Sequence, residues 1–145
     1  MNTYFEQMIL SASPVELIRI LYQQAASTVR DAREHLRGGR IAERSGSINN
    51  AYEVLTELIA ALRPAEAPEI AARLCSLYCY MQRRLLEANF RQTDEPLEEV
   101  LRLLAILAQA WDATPELVSK ALAPSNRRSA GTIGSEPMAA RAVRA

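Results

Sequence analysis

The sequence predicts an all-α protein: an antiparallel up-down four-helix bundle with a short fifth helix and a disordered C-terminal tail. Three observations carry that expectation. Apolar residues recur at spacings of three and four through four long stretches. The alternation of β-branched residues that marks strands is absent, and only five glycines interrupt 145 residues. The connections between stretches are about four to seven residues, short enough to force sequential helices to run antiparallel.

The first helix opens at Ser13-Pro14-Val15-Glu16. Ser13 can accept from an orphan amide, Glu16 can reach back, and Pro14 sits at the first helical position, where its missing N–H costs nothing. Leu17, Leu21, Ala25, Val29, Ala32 and Leu36 follow on one face, and Gly38-Gly39 end the helix. The second helix spans about 41–63, with Ile41, Ile48, Tyr52, Leu55, Ile59 and Leu62 in a narrow arc. Gly46 and Ser47 weaken its first turns by about 1 kcal/mol relative to Ala. The third, about 68–90, aligns Ile70, Leu74, Leu77, Met81, Leu85 and Ala88. Asp94-Glu95-Pro96 restarts the chain into a fourth helix whose core arc is Leu97, Val100, Leu101, Leu104, Leu107, Ala108 and Trp111. Thr114-Pro115-Glu116 caps a short fifth helix ending near Leu122. The expected organisation is an apolar N-terminal lid over 1–12, a bundle over 13–122, and a disordered tail over 123–145, where no apolar period remains.

Composition narrows the function. Lys+Arg 17 and Asp+Glu 17 cancel, so no global field draws the chain to nucleic acid or anionic lipid. The longest apolar run, Leu103 to Ala108, is too short to span a bilayer, and the N-terminus lacks the basic region of a secretory signal. A cytoplasmic protein with no membrane insertion is expected. A di-iron bundle core needs two Glu-x-x-His pairs, and His35 is the only histidine. His35 reads as a solvated residue near a helix end. Cys75 and Cys79 could offer two soft ligands, but nothing completes a tetrahedral set, so they read as free thiols. With no phosphate loop and no catalytic triad, neither an enzyme nor a cofactor is expected. Arg127, Arg128, Arg141 and Arg144 lie in the tail without aromatics to stack bases, and Arg83-Arg84 reads as a solvated or ion-paired edge.

What the chain has in excess is apolar surface. From Leu97 to Trp111, eleven of fifteen residues are apolar, where a bundle helix needs about three in seven. Leu103, Ile106 and Ala110 remain as a shoulder beside the core arc of the fourth helix. Ala51, Val54, Leu58 and Ala61 form the corresponding shoulder on the second, and Cys75, Cys79 and Leu86 line the third opposite its core. The N-terminal segment or the fifth helix could seal one stripe, but one short segment cannot cover three. Uncovered stripes at helical spacing fit an amphipathic partner helix laid in a groove.

Tyr4, Ser11-Ala12-Ser13-Pro14, and Glu16-Leu17-Ile18 with Leu21-Tyr22 resemble the opening of the flagellar secretion chaperone FliS family. Leu77-Tyr78, Tyr80-Met81, Arg83-Arg84-Leu85 and Ala88-Asn89 resemble its third-helix signature. Leu97-Glu98-Glu99-Val100, Leu103-Leu104 and Ala110-Trp111 resemble its fourth helix. The resemblance covers about 4–111. Gln23-Gln24-Ala25 departs from the family's usual Asp-Gly-Ala, and Cys79 stands where Asp is frequent. The resemblance implies a non-catalytic cytoplasmic chaperone that binds the C-terminal segment of flagellin and prevents premature polymerisation, with a component of the flagellar export gate as a second partner. Ala51, Val54, Leu58, Leu103 and Ile106 are the expected groove residues. Tyr4 and Ile9 belong to the lid, and Tyr80, Arg84 and Asn89 carry the family pattern and join the expected binding set. The chain is expected as a monomer or weak dimer; the alternative is a helical homodimeric interaction module without flagellin specificity.

Overall fold

A computed structural model of the chain describes residues 13–123. The expected lid over 1–12, with Tyr4 and Ile9, and the tail from 124 onward lie outside the described residues. Five helices follow in order: α1 (Pro14–Arg37), α2 (Ile41–Ala60), α3 (Pro68–Arg91), α4 (Glu95–Ala113) and α5 (Pro115–Ala121). Each of the first four packs against its neighbour in sequence, and α1 also meets α4, so the rods close into a four-membered ring. The longest rods, of 24 residues, are about 36 Å long.

Local chemistry sets the helix ends. Ser13 Oγ accepts the Glu16 N–H at 3.2 Å with Pro14 at the first helical position. The Glu16 carboxylate does not complete the reciprocal cap but meets Arg19 at 2.6 Å. Gly39 leaves α1 at φ 69°, a region where a Cβ would be strained. His35, expected to be solvated, is half-buried, and its Nδ1 accepts from Arg40 Nε at 3.0 Å.

The core corrects the predicted orientation of α2. Ala51, Val54, Leu58 and Ala61, expected on an outer shoulder, are buried, and Leu58 is 0% exposed. Tyr52, Ile59 and Leu62, expected in the core arc, are only half-buried, and Ile41 is exposed. The reason is close approach to α1. The two helices pack extensively, and small residues on both, Ala25 and Ala32 on α1 and Ala51 on α2, are fully buried, which fits α2 turning this side inward. An arc drawn through the largest side chains misses that rotation.

The two ends of the bundle are fastened differently. At one end α5 lies against α1 and α4, and the chain then pairs with the residues that follow α2. Leu62 and Leu122 form an antiparallel bridge, Arg63 N–H donates to the Ala121 carbonyl at 2.9 Å, and Ala123 N–H donates to the Ala61 carbonyl at 2.9 Å. Residue 123, placed in the tail by its sequence, is therefore held by the fold.

At the other end Arg33 grips Asp94 with two hydrogen bonds of 2.7 Å each. Arg44 and Ser45 of α2 donate to Asn89 Oδ1 at 2.9 and 3.2 Å. The hydrogen bonds from Arg33 hold the Asp94 carboxyl below its usual range despite partial burial. A depressed acid stabilises the fold above its unfolded pKa, and that contribution is lost as pH falls through the folded pKa. Urea midpoints are therefore expected to drop as the pH falls below about 4, the ordinary range of an aspartate carboxyl. Asp94→Asn is expected to flatten part of that drop, and an acid limb identical in both proteins would refute the assignment.

Candidate functional site

An open concave surface lies between α1 and α4, the pair joined by ring closure rather than by a short connection. It is a groove of about 260 Å³. Val15, Ile18, Tyr22 and Ala26 line it from α1; Leu101, Leu104, Ala105, Ala108 and Trp111 line it from α4; Val118 of α5 closes one end. Polar groups stand at its margin. Arg19 bridges the helices to Asp112 at 2.9 Å, a hydrogen bond that raises the guanidinium pKa, and Gln23 and Arg30 complete the margin. An apolar floor with small residues at Ala26, Ala105 and Ala108 and a polar margin suits an amphipathic helix.

The floor is held rigid by a buried polar chain. Trp111 Nε1–H donates to Tyr22 Oη at 2.9 Å, and the Tyr22 and Tyr78 hydroxyls share a hydrogen bond of 2.7 Å. The two tyrosine rings meet edge to face, with centroids 6.4 Å apart. Burial pushes the Tyr22 pKa up to about 12 and that of Tyr78 further up, so both hydroxyls stay neutral. Tyr22 is the hub: Tyr22→Phe leaves the Trp111 N–H and the Tyr78 hydroxyl without this partner, at about 1–3 kcal/mol each. Tyr78→Phe leaves the Trp111 bond intact. Tyr22→Phe is thus expected to lower the urea midpoint more than Tyr78→Phe, and the reverse order would overturn the hub assignment.

A second apolar surface flanks α4 on the side facing α3. Glu99 marks that side by meeting Arg84 and Tyr80, and Leu103, Ile106 and Ala110 continue it one turn at a time. Leu103 is half-buried against the core, and Ile106 is 56% exposed. These two residues therefore stand on the surface, whereas Ala51, Val54 and Leu58 are buried in the core and are not part of the α1–α4 groove.

The remaining expected site residues hold the fold's own bonds. Arg84, with its side chain 14% exposed, contacts Glu87 at 2.8 Å, Glu95 at 2.7 Å and Glu99 at 2.6 Å. Glu95 is 74% exposed, so solvent screens that contact; Glu99, at 22%, is the stronger partner. Hydrogen bonds to these carboxylates raise the Arg84 pKa. Burial alone would push Glu99 up, but its bonds from Arg84 and Tyr80 outweigh it and leave the carboxyl below its usual range. Tyr80 donates to Glu99 at 2.9 Å, which raises its own pKa, and Arg83 lies 5.8 Å from the Tyr80 ring centroid. Asn89 is occupied by Arg44 and Ser45.

A family model described as Flagellar protein FliS matches residues 1–117. The chain belongs to the FliS family. It is 38% identical to the flagellar secretion chaperone FliS of Salmonella typhimurium, across 73% of this chain and 79% of that relative. It is 33% identical to the flagellar secretion chaperone FliSB of Pseudomonas aeruginosa, across 74% and 85%, and 26% identical to the FliS of Bacillus subtilis, across 76% and 81%. The export-chaperone character of the FliS relatives agrees with an apolar groove on a helical scaffold. Among the described residues of this FliS-family chain, no group of three or more His, Cys, Asp or Glu could hold a metal, and no helix is long and apolar enough to cross a membrane.

Sequence reasoning missed the α1–α4 groove itself. Leu101 and Ala108 were expected wholly within the core arc, and both are half-buried at the groove wall. The available signal was the run of small residues, Ala105 and Ala108 facing Ala26, which leaves space between two rods. The Tyr22–Tyr78–Trp111 chain left no local signal, since its partners lie 56 and 89 positions apart.

Proposed function

We propose that this chain is a cytoplasmic export chaperone that holds the C-terminal segment of flagellin and prevents its polymerisation before export. The α1–α4 groove takes one amphipathic helix of that segment, and Leu103 and Ile106 on the other flank of α4 take a neighbouring piece. The observation that carries this reading is the open groove between α1 and α4, an apolar channel on a chain whose relatives are named as flagellar secretion chaperones. Residues 1–12 join α1 at Ser13, beside Val15 and Arg19 at one end of the groove. Tyr4 and Ile9 serve as the lid that flagellin displaces, and a component of the export gate receives the loaded complex.

The test is isothermal titration of the full chain with full-length flagellin from the same cells and with flagellin lacking its C-terminal segment. A one-to-one complex with the first alone is expected. Equal binding of both, or none, overturns the proposal. Sedimentation of the chain by itself addresses the homodimer alternative: a stable dimer that masks Ile106 would favour it.

A further inference from the structure

Cys75 and Cys79 lie one turn apart on α3, both half-buried and both free. Their place on α3 is the side turned to α2, because Gln82, in the same register, donates to the Tyr52 carbonyl at 3.1 Å and to Thr56 Oγ1 at 2.9 Å. Burial, followed by the influence of Cys79, raises the Cys75 pKa. Residues four apart on a helix hold their Cβ atoms about 5–6 Å apart. A disulfide needs about 3.5–4.5 Å, so this pair cannot close on itself while α3 stays helical.

We propose that Cys75 and Cys79 form a two-coordinate site for a soft monovalent cation, copper(I). The donor set decides the class. The chain has two cysteines in all, and its one histidine, His35, is on α1, so the four ligands of a tetrahedral zinc site are not available. The neighbouring polar groups, Thr56 and Gln82, are hard donors already hydrogen-bonded to each other. Thiolates alone select a soft d¹⁰ ion, and copper(I) accepts two of them. Binding forms two S–Cu bonds, breaks two S–H bonds and releases two protons to solvent, with no change of oxidation state. The resulting bis-thiolate carries one negative charge. Arg83, one turn beyond Cys79, supplies a cation beside it; in the free chain its guanidinium lies over Tyr80.

The test is anaerobic titration of the full chain against copper(I) held by bicinchoninate, read from the loss of the copper–chelator colour. One copper per chain is expected to transfer, accompanied by a rise in the thermal midpoint. Cys75→Ser and Cys79→Ser are each expected to abolish the transfer with helicity retained, and Cys75→Ala and Cys79→Ala repeat the measurement should a serine variant fail to fold. No transfer to the natural chain, or transfer undiminished when both cysteines are replaced, overturns the proposal.

Discussion

Leu58→Ala is expected to lower the unfolding free energy by about 2–5 kcal/mol, whereas Ile106→Ala is expected to change it by no more than about 0.5 kcal/mol. Both residues are large and aliphatic, both are helical, and both were expected on apolar shoulders. The difference is burial: Leu58 is 0% exposed and Ile106 is 56% exposed. Truncating Leu58 removes buried methyl groups and leaves a cavity in the core of the bundle. Against a typical domain stability of about 5–15 kcal/mol, that loss is a large fraction of the whole. Urea unfolding followed by circular dichroism measures both. A near-neutral Leu58→Ala would mean that α2 turns a different side to the core.

Ala105→Glu is expected to weaken flagellin binding by about 10–100-fold while leaving stability within about 0.5 kcal/mol. Ala105 is exposed on α4 at the groove wall, and alanine and glutamate are both good helix formers, so the scaffold tolerates the change. A bound client helix would bury the new carboxylate against apolar side chains with no partner designed for it. Ala42→Glu, at an exposed position of α2 and not in the groove lining, is the control and is expected to bind as the natural chain does. Calorimetry on the three proteins decides the matter: equal affinities would remove the α1–α4 groove from the binding surface.

The helices were legible from punctuation. Pro14, Pro68, Pro96 and Pro115 each stand in a first turn, and Gly38-Gly39 follow α1, so local chemistry alone set the boundaries to within a few residues. Rotation about each helix axis was less legible. On α4 the broad stripe made either flank of Leu104 plausible, and Leu103 and Ile106 do stand on the surface. On α2 the largest side chains pointed to the wrong centre, because close packing rewards small residues such as Ala51 that a hydrophobicity pattern undervalues. The groove was hidden for a further reason. It forms between the first and fourth rods, which meet only when the ring closes, and no spacing within one helix reports on that meeting.

The pairing of Leu62 with Leu122 has a consequence for biosynthesis. Translation is vectorial, so α1 to α4 emerge from the ribosome before the strand-like stitch at 121–123 does. A nascent chain that has reached only Ala113 is an unstoppered barrel, its Ala61 carbonyl and Arg63 amide still wet and Val118 not yet seated against the Tyr22 side. The finished bundle is thus sealed by the last of its five described helices, and a premature stop anywhere in α5 would release a vessel open at that mouth.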